Sequence, residues 1–186
     1  MDKLTYFLVD VFAEEKYAGN QLAVIIGAKE LSDHEMQRIT KEMNYSETTF
    51  ILSNKKRDGG YDVRVFTPEK ELPFAGHPTL GTAFVIQHSI IKEPINKILL
   101  NLKIGQIPVR LSYIKEHVDV LWMKQIQPIF GQTFDAELIS EILNLNVREI
   151  DDKFPIQDVS TGLPTIIVPL KTLDALKSAR LSKTNV

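Results

Sequence analysis

The chain contains no cysteine. That absence removes disulfides, thiolate metal sites and cysteine nucleophiles together. Long apolar runs are missing as well, since no stretch approaches the roughly 20 residues that a membrane helix needs. The N-terminal MDKLTYFLVDVF is apolar only briefly and carries Asp10 inside the run, so it reads as a strand rather than a signal peptide. Nor is there an excess of charge of one sign. With 22 basic and 24 acidic residues interspersed and a formal charge of −2, no electrostatic footprint for nucleic acid or anionic lipid is present. These absences predict a soluble cytoplasmic protein with no nucleic-acid partner and no membrane partner. A small neutral or anionic ligand stays open.

What is present suffices for one full core and part of a second, with 186 residues of which 44% are hydrophobic. Residues 6–12 and 22–26 read as strands joined by a turn-rich loop with Gly19 and Asn20. A helix follows, because Ser32 with Glu35 fits a capping box and Leu31 with Met36 a hydrophobic staple, after which Met36, Ile39 and Met43 give one apolar face. Strands are expected at 48–52 and 61–65, around an exposed turn at 53–60, and then at 98–102, 107–112 and 118–123. From about Gln125 the pattern restarts with a loop, a helix near 135–145, a strand near 165–168 and a helix from Leu173. Strands and helices mingle without regular βαβ alternation, which favours an α+β fold over a doubly wound one. VDVFAEEKYAGNQLAVIIGAKELS from Val9 and QDVSTGLPTIIVPLKTLD from Gln157 share a plan of strand, glycine-bearing loop, apolar strand and helix. The pair is either a coincidence or an internal repeat.

Residues 73–84, PFAGHPTLGTAF, lead into a helix expected from Pro78 to about His88, which is apolar almost all round up to Gln87 and so belongs inside a domain. Pro78 suits its first turn, where a missing N–H costs nothing. A helix that starts inside a domain brings unpaired N–H groups and about half a positive charge to its first turn, which suits a carboxylate. Gly76 removes a side chain where a ligand would approach, and His77 adds a donor or acceptor; the plain alternative is a cap and a turn. Glu47, in NYSETTF among Ser46, Thr48 and Thr49, is either a carboxylate held partly out of water and able to trade protons, or a solvated loop residue. Gly19-Asn20-Gln21 either makes a turn or presents an amide to a ligand. Glu69 and Glu71 read as exposed loop charges, and Trp122 as a core residue. His34, His88 and His117 have no metal-ligand spacing, so no metal is expected. Ser160, Thr161 and Gly162 lack the pattern of a phosphate loop.

Several ordered motifs now coincide: FLVDVFAEEKYAGNQLAVI, NYSETTF, VRVFTPEKELPFAGHPTLGTAF and VSTGLPTIIVPL. Over residues 6–170 the chain resembles the phenazine-biosynthesis PhzF-like proteins, of the diaminopimelate-epimerase-like fold. The resemblance implies two pseudo-symmetric halves, each a curved mixed sheet or barrel wrapped around a central helix, with the active site where the two helix N-termini converge. On that basis residues 1–124 form the first half, with the AGHP helix at its centre, and residues 125–186 begin a second half that is incomplete. It also implies a cofactor-independent isomerase, using no cofactor, that moves a proton on a small cyclic or amino-acid-derived carboxylic acid. Glu47 matches the family's acid/base and His77 the histidine of its GHP motif, as catalytic residues. Asn20, Ser46, Gly76, Pro78 and Thr79 match substrate-binding positions. Relatives that use a cysteine pair as bases are no guide here, because the chain has none. The family's Asp-Pro-x-Thr-Gly-Ser stretch, which faces the glutamate, does not occur in this sequence. A second reading is therefore a non-catalytic small-acid-binding or dimerising module. The resemblance and the apolar edges expected of an incomplete half both predict a homodimer.

Overall fold

A computed structural model describes residues 4–182, which fall into two units divided between Gln125 and Ile126. In the first, alternating apolar and polar residues produce strands and the capped amphipathic stretch produces a helix. The order is β1 (Thr5–Val11), β2 (Asn20–Ile26), α1 (Asp33–Met43), β3 (Glu47–Ile51), β4 (Tyr61–Phe66), β5 (Glu71–Leu72), α2 (Gly76–Val85), β6 (Lys97–Leu102), β7 (Gly105–Ile114) and β8 (His117–Met123). All strands join one mixed sheet in the order β1-β2-β3-β4-β6-β7-β8, with β5 on β4. The β2–β3 and β4–β6 pairs are parallel and the others antiparallel.

The sheet curls around α2. That helix packs against β1 and β2 at one end of the strand order and against β7 and β8 at the other, so the sheet forms a half-barrel about it. Period-two side chains supply the inner lining: Ile98, Leu100 and Leu102 from β6, and Ile107, Val109 and Leu111 from β7, packed with Ala83, Val85 and Ile86. Gly81 lets the helix sit close to the strands. A Cβ there would lie 2.7 Å from Leu22 Cδ2 and 2.9 Å from Val11 Cγ2. The opposite face of β2, β3 and β4 carries Ile25, Phe50 and Phe66 under α1, where Leu31 and Met36 join the same cluster. The capping box of Ser32 and Glu35 forms as expected.

Three expectations need correction in this unit. Glu71 is not a loop charge: it lies in β5 with a side chain only 13% exposed, between Arg64 and Lys103. Burial alone would raise its pKa, but the bonds to those two cations outweigh it and hold it below the usual range. Trp122 is 68% exposed, because the β7–β8 register places it opposite Arg110 on the outer face. The buried helix begins at Gly76 rather than Pro78 and runs past Val85 into a wider π-helical turn, Ile86–Ile91, closed by Lys92 in the left-handed region. There the His88 ring stacks on Phe84.

The second unit has β9 (Ile129–Thr133), α3 (Ala136–Leu143), β10 (Gln157–Ser160), β11 (Pro164–Ile167) and α4 (Leu173–Ser178). Its sheet is antiparallel in the order β11-β10-β9. The segment after Gln125 was expected to be loop, yet β9 forms in it, since pairing with β10 supplies hydrogen bonds that local pattern does not reveal. A small core of Ile139, Ile150 and Ile156 lies against α3 residues Ile142 and Leu143. Among the described residues no helix is long and apolar enough to cross a membrane.

Candidate active site

Three chain segments place their ends at one point of the first unit. β2 and β3 run parallel with Leu22 opposite Glu47, so Asn20 and Glu47, the first residues of their strands, lie at the same end of the sheet. The N-terminus of α2 brings His77 to that end. His77 Nε2 is 3.4 Å from Glu47 Oε2, with side chains 9% and 17% exposed. That approach is long and poorly aligned for a hydrogen bond, and among the described residues neither atom has another partner. Asn20 Nδ2 is 3.2 Å from His77 Nδ1, and Ser46 Oγ donates to Asn20 Oδ1 at 3.4 Å.

Burial presses the His77 pKa below its ordinary value. The negative charge of Glu47 and the main chain of Gln21 work in the opposite direction without overcoming it. Near neutral pH the His77 imidazole is therefore held in its neutral form beside the Glu47 carboxyl group. The pair can hold one mobile proton in surroundings that offer it little competition from water.

The start of α2 is left open to a ligand. Its N-cap, Ala75, has no side chain that accepts a bond from the first turn, and no acidic residue lies in that turn. Gly76 adopts no positive φ, and a Cβ there would meet nothing within 4 Å. Neither backbone strain nor crowding therefore requires glycine at this position, and space stands beside the helix end. Pro78 and Thr79 are buried, and the Thr79 hydroxyl donates to Ala75 O at 2.7 Å inside the helix's own first turn. Of the residues singled out in the sequence, Asn20, Ser46, Glu47 and His77 meet through side chains, whereas Pro78 and Thr79 shape the turn.

One pair escaped the sequence reading. Thr49, two residues beyond Glu47 on the same face of β3, shares a buried 2.7 Å hydrogen bond with Thr82 of α2. It ties the strand that carries Glu47 to the helix that carries His77. The only available signal was the β-branched alternation of Thr49 with Glu47 on a strand. Thr48, on the other face, has a buried hydroxyl without a partner among the described residues.

Two surface cavities lie elsewhere. One of about 440 Å³ in the second unit is lined by Phe134, Ile150 and Lys171 among others, and one of about 500 Å³ in the first by Lys97, Arg110 and Trp122 among others. Neither contains a contacting acid and base, and no cluster able to hold a metal ion occurs among the described residues.

Comparison with known proteins adds an independent line. The model of the family described as phenazine biosynthesis-like protein matches residues 9–185. A trans-2,3-dihydro-3-hydroxyanthranilate isomerase of Pseudomonas aeruginosa is 36% identical over 93% of this chain and 59% of its own length. An uncharacterized isomerase of Clostridium acetobutylicum is 36% identical over 94% of this chain and 58% of its own. The chain thus spans under two thirds of the length of these curated relatives. Among solved structures, a predicted epimerase from Pseudomonas aeruginosa superposes with a TM-score of 0.83 at 35% identity, over 95% of this chain and 62% of that one. A hydroxyproline epimerase from Agrobacterium vitis superposes with a TM-score of 0.58 over 89% of this chain and 51% of that one; at 10% identity it bears on the fold alone. The half-barrel around a central helix is accordingly the α+β, diaminopimelate-epimerase-like fold.

Proposed function

The chain belongs to the phenazine biosynthesis-like family, and from that premise we propose that it carries the proton-transfer half of a cofactor-independent isomerase acting on a small cyclic or amino-acid-derived carboxylic acid. The observation that carries this reading is the approach of two nearly buried atoms with no other partner among the described residues, Glu47 Oε2 and His77 Nε2, at the uncapped N-terminus of α2. The helix end, with Gly76, Pro78 and Thr79 forming its first turn, receives the substrate carboxylate through main-chain N–H groups and the favourable end of the dipole. Ser46 and Asn20 border the same space. Glu47, as carboxylate, takes a proton from a carbon of the bound acid. The C–H pair becomes part of a shifted double bond, and the proton returns from Glu47 to the far carbon of the shifted system. His77, neutral and adjacent, supports Glu47 through both steps.

The relatives' greater length supports a two-part site in which residues 125–186 begin a second, incomplete half and a longer form supplies the groups opposite Glu47. A homodimer is part of the same proposal, and light scattering after size exclusion checks it. The test of the chemistry is solvent-deuterium incorporation into trans-2,3-dihydro-3-hydroxyanthranilate, the compound named for the Pseudomonas relative. Glu47→Gln should lower exchange by at least about a hundredfold, the usual scale of general acid–base catalysis. Exchange that survives this variant at the wild-type rate would defeat the reading. The same 59% coverage also suits a non-catalytic acid-binding module, which would bind the acid without exchanging its protons.

A further inference from the structure

Asn20 opens β2, and its side-chain amide stands between two groups of the site, with Nδ2 3.2 Å from His77 Nδ1 and Oδ1 accepting from Ser46 Oγ at 3.4 Å. The two ends of an amide differ, since nitrogen donates and oxygen accepts, and a neutral imidazole carries one proton on one of two nitrogens. We propose that Asn20 is a positioning residue: with Glu47 facing Nε2, the Asn20 amide nitrogen, 3.2 Å from Nδ1, occupies the Nδ1 lone pair of His77 and thereby keeps the ring proton on Nε2.

The opposite arrangement is worse for a physical reason. The main chain of Gln21 favours a proton on the ring without deciding which nitrogen carries it, so the choice falls to the groups that face each nitrogen. If the proton sat on Nδ1, the Asn20 amide would have to turn over to accept it, and Nε2 would be bare. A bare nitrogen would then face the carboxylate oxygen at 3.4 Å, two acceptors with no other partner among the described residues. With the proton on Nε2, a donor faces an acceptor across that 3.4 Å, which is the less costly of the two arrangements although the approach is too poorly aligned for a hydrogen bond. Asn20 therefore acts on Glu47 through His77 and need not touch substrate. This inference rests on the proposed roles of Glu47 and His77 for its catalytic meaning, whereas the tautomer is a property of this chain itself.

The experiment is a long-range ¹H–¹⁵N correlation spectrum of the 186-residue chain labelled at its 4 histidines, with His77 assigned by its loss in His77→Gln. Wild type should show one neutral tautomer of His77, with Nε2 protonated and Nδ1 bare. Asn20→Ala should lose that fixed pattern and give averaged signals from both tautomers. Asn20→Asp, nearly isosteric, presents only acceptors and should move the proton to Nδ1. A wild-type spectrum with the proton on Nδ1, or a folded Asn20→Ala with an unchanged pattern, would overturn the proposal. If Asn20→Ala does not fold, an unchanged tautomer in Asn20→Asp does so instead. Retained proton exchange in Glu47→Gln would sink the isomerase reading while leaving the tautomer result standing, so the two failures are separable.

Discussion

The two units begin from similar local plans and end with different interiors. β1 and β2 form an antiparallel hairpin followed by α1, and β10 and β11 form one followed by α4. In the first unit the sheet closes around α2, and residues such as Leu22, Val24 and Leu100 lose all contact with water. In the second, every residue of β9 and β11 is exposed, including Ile129, Phe130, Ile166 and Ile167, and among the described residues only Ile139, Ile150, Ile156 and Ala175 are buried apolar side chains. Hairpin and helix are thus local products, but a core is made only where a second layer covers the sheet. Stability in this chain is expected to be concentrated in the first unit, where apolar area is removed from water.

The sharpest test of that contrast pairs one core truncation with one surface truncation. Leu100→Ala should lower the unfolding free energy by about 2–5 kcal/mol, whereas Phe130→Ala, 64% exposed, should change it by no more than about 0.5 kcal/mol. Denaturant titration followed by circular dichroism measures both, and equal losses would erase the distinction. Next in size, Thr82→Val leaves the buried Thr49 hydroxyl without its 2.7 Å partner and should cost about 1–3 kcal/mol. The double variant with Thr49→Val should recover part of that, because two apolar groups then face each other. A double variant as unstable as the sum of the singles would argue against the tie between β3 and α2.

A smaller effect is expected from pH. Native His77 resists protonation more than the unfolded chain does, so between the ordinary histidine value of 6.5 and its lower native value the unfolded state binds more protons. The resulting stabilisation is present above pH 6.5 and is lost as pH falls through the native value. His77→Gln should flatten the stability curve in that window. Asp62 and Glu71, whose values are held low chiefly by Arg57 in one case and by Arg64 and Lys103 against burial in the other, should act at more acid pH. The smallest change is Gly76→Ala, which should leave stability unchanged or raise it by up to about 1 kcal/mol. It should nonetheless weaken binding of small carboxylic acids, read by calorimetry, since the added methyl enters the open space beside the helix end.

Much of this was legible in the chain because local chemistry controls it. The capping box at Ser32, the alternation in β4 and the apolar helix after Gly76 each follow from a short stretch of residues. The same holds for the motifs that marked Asn20, Glu47 and His77, though their roles remain proposals. What escaped depended on partners distant in sequence. Glu71 looked like a surface charge until Arg64 and Lys103 surrounded it, Trp122 looked like a core residue until strand register turned it outward, and β9 had no signal without β10.

By itself, then, the sequence determined most of the elements, the absence of cysteine chemistry and the residue types available for proton transfer, all of which are properties of single residues or short periods. Only the tertiary structure decided that β2, β3 and α2 end at one point, that Thr49 meets Thr82, and that Glu47 faces His77 across 3.4 Å. The reason is that these contacts join residues dozens of positions apart. Their distances are set by how a sheet curls around a helix, which no short stretch of chain encodes.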